Sequence, residues 1–159
     1  MTQPLVEALA QCRRHADVLA KARADLPARF ETAHVLSPTD ALVRAGDQFV
    51  LRFIKLQDTL GEQVLRPFTA EVLGEPVSDL PLIDVLNRLE RYGYLRLHDW
   101  ARWRALRNAL THEYPDRPDL RVAVLNDALQ AASGLEALLA RLETRWAASG
   151  AAGASGAAG

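Results

Sequence analysis

The chain has 159 residues, of which 49% are hydrophobic and 25% are charged, and its formal net charge is −1. This composition is typical of one soluble globular domain with its own core. Because the net charge is close to zero, no global field draws the chain to nucleic acid or to a membrane, and any anion binding must come from a local patch. Cys12 is the only cysteine, which excludes an intramolecular disulfide and a cysteine-based metal cluster.

Neither a targeting segment nor a membrane-spanning segment is predicted. The N-terminal stretch carries Glu7 within its apolar part and lacks the basic n-region of a signal peptide. No apolar run approaches the roughly 20 residues that a bilayer span requires. We therefore expect a cytoplasmic protein without a membrane partner.

The first part of the chain has the periodicity of an amphipathic helix, with apolar residues at steps of three, four and seven. It predicts a first helix from about Gln3 to Asp25. The members of its apolar stripe are Leu5, Leu9, Cys12, Ala16, Leu19 and Leu26. The stretch "SPTDA" at 37–41 then supplies capping residues and an early proline, which indicate the start of another helix.

The second predicted helix runs from about Thr39 to Leu65 and carries two apolar stripes. The first stripe consists of Leu42, Phe49, Phe53, Leu56, Leu60 and Val64. The second stripe consists of Val43, Val50, Ile54 and Leu65, and it is displaced by about 100° around the helix. Two stripes predict that this helix lies centrally in the fold or that it also contacts another subunit.

Prolines and glycines divide the rest of the chain. Pro67 is expected to weaken the second helix, and a connection with Gly74, Pro76 and Pro81 follows. A shorter helix carries Leu82, Leu86 and Leu89 and ends near Gly93, a candidate left-handed cap. A fourth helix covers 98–114, with Asp99 as its cap and Pro115 as its stop. The last helix, with Asp116 as cap and Pro118 in its first turn, extends to about Trp146.

No segment shows the alternation of a strand, and β-branched residues do not cluster. The sequence therefore predicts an all-α fold, an antiparallel up-and-down bundle of four to five helices that occupies residues 1–146. The Ala/Gly/Ser segment 147–159 has no bulky apolar side chain, so it cannot bury enough surface to offset its ordering entropy. We expect this segment to be a flexible tail.

The stretch "RNALTHEY" at 107–114 combines residues that can handle a phosphate and a proton. On an ideal helix, Asn108 and His112 are four residues apart and share a polar strip, while Arg107 lies where the core meets the surface. Tyr114 follows Arg107 by seven residues and shares its side if the last turn stays helical. Trp100 and Trp103 are interpreted as packing residues that anchor this helix.

These residue types suit the cleavage of a phosphodiester. A guanidinium is a permanently charged fork that matches phosphate oxygens, and an imidazole exchanges a proton near neutral pH. Metal-free RNA cleavage requires a base, an acid and a cation, yet one chain offers a single well-placed histidine here. Two chains that meet along this helix would offer two histidines and two arginines. The chemistry therefore favours a composite site in a homodimer, without a cofactor. No metal site is predicted, since His15, His34 and His98 are not spaced as metal ligands.

The spacing of arginine and histidine is not specific by itself, because Arg29 and His34 have it too. The full string is more informative. Arg107, Asn108, His112 and Tyr114 resemble the motif of the HEPN superfamily, and especially of its HepT-like branch, in which Arg, four residues, His, one residue and Tyr recur. The order of the helices around the motif is similar as well, and the resemblance covers about residues 1–146.

The resemblance implies a helical bundle that dimerises with both motifs at the interface. It implies a metal-independent endoribonuclease that acts as the toxin of a toxin–antitoxin pair, with RNA as substrate and a minimal nucleotidyltransferase as the antitoxin partner. Arg107 would bind phosphate, His112 would be the acid/base, Asn108 would orient its neighbours, and Tyr114 would be the adenylylation target. An acidic residue of the long second helix is expected to face the site, and both Asp58 and Glu62 are candidates.

Simpler interpretations apply to each residue taken alone. Arg107 could be a surface arginine paired with a carboxylate, and His112 could interact with the dipole of a helix end. Two other hypotheses remain beside the ribonuclease. One is a non-catalytic partner or substrate-binding subunit of a nucleotidyltransferase, and the other is a purely structural bundle with Arg107 in an internal ion pair.

Overall fold

The computed structural model describes the backbone of residues 2–156 and the side chains of residues 2–150. Helices dominate this part of the chain. In order they are α1 (Gln3–Ala24), α2 (Thr32–Leu36), α3 (Asp40–Thr59), a π-helical turn (Leu60–Val64), α4 (Leu65–Glu71), α5 (Leu82–Arg91), α6 (Leu97–Leu110) and α7 (Pro118–Gly156). No strand occurs between residues 2 and 156, which confirms the predicted all-α class. None of the helices described has the length and apolarity that crossing a membrane requires.

The first half of the chain follows the predicted helices with two differences. α1 matches the first predicted helix, whereas the five-residue α2 was not predicted because it is too short to show a periodicity. The second predicted helix does not end near Pro67. It passes from α3 through the π-turn into α4 and ends at Glu71.

The π-turn explains how a helix continues past a proline. Pro67 has no N–H, so the carbonyl of Gln63 loses its α-helical partner. The wide turn comes directly before this point, with the Leu65 N–H bonded to the carbonyl of Leu60. Pro67 is then the third residue of α4, in a first turn where N–H groups have no partner within the helix in any case.

In the second half of the chain, two predicted helix caps are wrong and one is confirmed. Asp99 lies in the first turn of α6 and is not its cap, a position that Arg96 occupies. α7 begins at Pro118, so the residue before it is Arg117 and not Asp116. Gly93, at φ +81°, has the predicted left-handed conformation after α5.

α7 continues past Trp146 to Gly156. Part of the Ala/Gly/Ser segment 147–159 is therefore helical. Residues 157–159 lie outside the part of the chain that the structure describes. The flexibility of this segment stays a prediction.

The core lies between α1, α3, α6 and α7, and α3 contacts each of the other three. The first apolar stripe of α3 is buried as predicted, from Phe49 to Val64, with only Leu42 partly exposed. α1 and α7 supply leucine and alanine faces to the same cluster. Cys12 is fully buried, and this burial raises the pKa of its thiol to about 12. It is therefore a protonated, apolar core group at neutral pH.

The second apolar stripe of α3 is only partly covered. Leu65 is buried and Val50 and Ile54 are half-buried, but Val43 is 43% exposed. Leu51, also 43% exposed, adds to the same side. α3 thus lies centrally in the fold, which is one of the two alternatives predicted from its two stripes. It also leaves apolar surface exposed to solvent.

Two tryptophans hold α6 against its neighbours, and each meets a glycine. A Cβ built on Gly61, in the π-turn, would lie 3.0 Å from Cζ2 of Trp100, and one on Gly134, in α7, would lie 2.7 Å from Cζ2 of Trp103. Trp100 and Trp103 are almost fully buried and pack edge to face at 6.2 Å. The absence of side chains at these two positions lets α6 approach both helices closely.

Gly134→Ala should therefore destabilise the protein, although alanine is the better helix former. The new methyl group would overlap a buried indole that cannot move aside, which costs about 1–3 kcal/mol in the free energy of unfolding. Gly46→Ala in α3 is the matched control, since nothing lies within 4 Å of its Cβ. This control should stabilise by up to about 1 kcal/mol. Urea denaturation followed by circular dichroism measures both, and equal effects of the two substitutions would contradict the close packing.

Candidate functional site

Arg107, near the end of α6, is joined to Asp58 of α3 by a two-pronged ion pair. Its Nε donates to Oδ1 of Asp58 at 2.7 Å, and its Nη2 donates to Oδ2 at 2.8 Å. Both side chains are about 30% exposed. The hydrogen bonds that Arg107 donates to Asp58 raise its pKa, and the nearby charge of Glu62 adds to this. Of the two acidic candidates, Asp58 is therefore the residue that contacts Arg107.

The third nitrogen of the guanidinium, Nη1, does not bond to Asp58. Nη1 of Arg107 lies 3.5 Å from Oδ1 of Asn108, the limit of a hydrogen bond. Asn108 itself is exposed. Arg107 can therefore still donate to an anion from solvent, and Asp58 keeps its planar group in one orientation while it does so.

A cavity of about 300 Å³ opens beside this ion pair, between α3, the π-turn, α5 and α6. The residues lining it are Gln57, Asp58, Gly61, Glu62, Leu82, Trp100, Arg104, Arg107 and Asn108. Four of the six predicted site residues thus surround one cavity. The other two, His112 and Tyr114, do not line it.

His112 and Tyr114 lie in the loop after α6, because this helix ends at Leu110 and not at Tyr114. The predicted polar strip shared by Asn108 and His112 is therefore wrong. The condition under which Tyr114 would share the side of Arg107, a helical last turn, is not met. His112 is exposed, and its ring packs edge to face on the ring of Tyr114 at 5.8 Å. Tyr114 is half-buried and has φ +51°, a conformation that residues other than glycine rarely adopt.

Arg121, in the first turns of α7, holds this loop in place. Its Nη1 donates to the carbonyl of His112 at 2.9 Å and approaches the carbonyl of Leu110 at 3.5 Å. It thereby satisfies carbonyl groups that the end of α6 leaves without partners. Burial lowers the pKa of Arg121, and the charges of Glu113 and Asp47 oppose this effect. Sequence reasoning missed Arg121, since its role depends on the packing of α7 against the loop.

The second match to the arginine–histidine spacing has a structural role. Nδ1 of His34 accepts the backbone N–H of Glu31 at 2.8 Å and so caps α2, and its ring packs on Phe30. His15 lies 2.9 Å from the guanidinium of Arg52, and burial, followed by the charge of Arg52, lowers its pKa. Within the described residues, no group of three His, Cys, Asp or Glu side chains could hold a metal ion.

Arg102 and Arg104, both exposed on α6, have no carboxylate within 4 Å in the described part of the chain. Of the two, only Arg104 lines the cavity. By contrast, Arg117 is paired with Asp119 at 2.9 Å, and Arg96 lies 4.0 Å from Asp99. The positive charge of α6 that no nearby carboxylate offsets therefore lies on its exposed side.

Comparisons of the chain with protein families, with curated proteins and with solved structures found no match. The resemblance to HEPN proteins therefore rests on the motif itself and on the order of the helices around it.

The Arg107–Asp58 pair should contribute measurably to stability because its geometry is bidentate and both groups are about two-thirds covered. A double-mutant cycle of Asp58→Ala and Arg107→Ala should give a coupling of about 1 kcal/mol in the free energy of unfolding. Urea denaturation of the four proteins measures it, with Arg104→Ala in place of Arg107→Ala as the unpaired control. A coupling no larger than that of the control would show that the pair is not formed in solution.

Proposed function

We propose that this protein is a HepT-like, metal-independent endoribonuclease, the toxin of a toxin–antitoxin pair, with a composite Arg/His site at a homodimer interface. The observation that carries the proposal is the string Arg107, Asn108, His112, Tyr114 at the solvent-accessible end of one helix. His112 is exposed and has no side-chain hydrogen bond within the described residues. Its ring nitrogens are therefore open to contact with a substrate.

The reaction that suits these groups is an attack by the RNA itself. A base removes the proton of the 2′-hydroxyl, the 2′-oxygen forms a bond to phosphorus, and the bond from phosphorus to the 5′-oxygen breaks. The products are a 2′,3′-cyclic phosphate and a 5′-hydroxyl, which receives its proton from an acid. His112 serves as acid/base, and Arg107 stabilises the charge on the phosphoryl oxygens. Asp58 positions Arg107 and keeps it charged.

A second copy of the chain would complete this site. One subunit has Arg107 at the cavity and His112 in the loop outside it, so it lacks the pair of proton carriers that the reaction uses. The face that carries Asp58 also carries uncovered apolar side chains. Ile54 precedes Asp58 by four residues and Leu51 by seven, so both lie on its side of α3. This surface could be buried between two subunits.

One observation favours the non-catalytic alternative, a HEPN-like partner or substrate-binding subunit of a nucleotidyltransferase. Asp58 occupies two prongs of Arg107, so a phosphate must compete with a carboxylate for this residue. The phenol of Tyr114 has no hydrogen bond among the described side chains and would be the acceptor of an adenylate. An adenylate on Tyr114, in a protein inert towards RNA even when unmodified, would favour this alternative.

His112→Ala should abolish RNA cleavage while leaving the fold intact. Loss of the acid/base should slow cleavage by about 100-fold or more, whereas an exposed loop position contributes little to stability. A digest of labelled RNA with EDTA present measures the rate, and circular dichroism checks the helix content. His98→Ala is the matched control, since His98 is also an exposed histidine but lies in the first turn of α6, at the opposite end of that helix. Cleavage by His112→Ala at the parent rate would show that the assignment is wrong.

The composite site has a stricter test. A mixed dimer of the parent chain and His112→Ala keeps both arginines but only one of the two histidines that the composite site uses. Co-expression with two different affinity tags isolates this mixed dimer. It should lose nearly all cleavage, and a monomeric protein or a mixed dimer that keeps half of the parent activity would contradict a shared site.

A further inference from the structure

The cavity beside Arg107 contains polar groups for which cleavage of the phosphodiester has no use. Gln57 is only 4% exposed, yet its amide makes no hydrogen bond within the described part of the chain. Trp100 is 3% exposed, and its Nε1 is buried without a hydrogen-bond partner. Buried polar groups are nearly always paired in native proteins, so the unpaired Nε1 of Trp100 is an exception. The Gln57 amide is not enclosed in this way and lines the cavity, so it is open to a hydrogen bond with a bound molecule.

The charges around the cavity cancel. Asp58 and Arg107 neutralise each other in their ion pair, and Glu62 and Arg104 add one charge of each sign. A bare anion inside the cavity would face two carboxylates as well as two guanidinium groups. The cavity is therefore better suited to a neutral group that offers hydrogen-bond donors and acceptors at once.

Its volume and its walls suit a small molecule. The volume of about 300 Å³ is at the lower end for small-molecule sites. The indole of Trp100 and the side chain of Leu82 supply apolar walls, while Gln57, Glu62 and Arg104 supply polar groups. Proteins recognise unpaired RNA bases in this way, with aromatic or guanidinium groups against the ring and hydrogen bonds to the base edges.

Guanine matches the donors and acceptors better than the other bases. Its N1–H and N2–H groups are adjacent donors that a carboxylate accepts together, and its O6 and N7 are acceptors that an arginine contacts. Glu62 and Arg104 both line the cavity, and neither has an ion-pair partner within 4 Å in residues 2–150. The Gln57 amide can donate and accept.

We propose that this cavity is a guanine subsite. In it, Glu62 accepts hydrogen bonds from N1–H and N2–H of the base, Arg104 donates to O6 or N7, and Trp100 forms an apolar wall beside the ring. The inference rests on the proposed function for its natural ligand, a guanosine next to the scissile bond of single-stranded RNA. It concerns guanine as a base, whether the base belongs to a free nucleotide or to a strand.

Calorimetric titration of the full chain with GMP, AMP, CMP and UMP tests the subsite without any cleavage. GMP should bind about tenfold or more tightly than the others, because each would leave the carboxylate or the guanidinium poorly paired. IMP, which lacks the 2-amino group, should bind more weakly than GMP. An A/U oligoribonucleotide with one guanosine, compared with one that has none, distinguishes a base in a strand from a free nucleotide.

Glu62→Gln should remove most of the preference for GMP, since the amide presents one donor where two acceptors are needed. Gln63→Ala is the matched control, because Gln63 is an exposed neighbour that does not line the cavity. Both sites are on the surface of the helix, and circular dichroism checks that each variant is folded. No nucleotide binding, equal binding of all nucleotides, or an unchanged preference in Glu62→Gln would each overturn the subsite.

The two proposals fail in different ways. Selective binding of GMP without RNA cleavage would support the guanine subsite and contradict the ribonuclease function. RNA cleavage without a preference for guanine, together with no selective nucleotide binding, would support the ribonuclease function and contradict the subsite.

Discussion

The close approach of two indoles to two glycines determines where the end of α6 lies. Trp100 packs against Gly61 in the π-turn, and Trp103 packs against Gly134 in α7. A side chain at Gly134 would have to displace a large buried ring, and one at Gly61 would need the ring of Trp100 to shift by a few tenths of an ångström. The position of α6 between these elements therefore leaves little tolerance. Arg107 lies one helical turn after Trp103, and it reaches Asp58 because α6 is held at this distance from α3.

The π-turn links this packing to the cavity. It widens the long helix directly before Pro67 and brings Gly61 to face Trp100, with Glu62 beside it. π-helical turns inside α-helices are frequent at functional sites, where they change the direction of side chains without breaking the helix. Here the turn lies between the ion-paired Asp58 and the proline-containing α4.

The Arg107–Asp58 pair orients a cation and also limits its use. The carboxylate holds the guanidinium in one plane and favours its charged form. A phosphate that approaches Arg107 must bind the free prong or displace the carboxylate. In the proposed ribonuclease, binding energy from another part of the RNA strand would offset this competition. A base bound in the adjoining cavity would supply such energy.

The sequence by itself determined the helices and the core, because the 3.6-residue period of apolar side chains reports burial directly. It also singled out the residues of the motif and both acidic candidates on the long helix. Tertiary structure decided what a linear pattern cannot contain. The π-turn carries the helix past Pro67, Arg121 of α7 holds the loop after Leu110, and Asp58, rather than Glu62, contacts Arg107. Arg107 and Asp58 are 49 positions apart, and Arg121 contacts a loop that belongs to another part of the fold. Local periodicity carries no information about such contacts, and it does not register the one-residue shift of a π-turn.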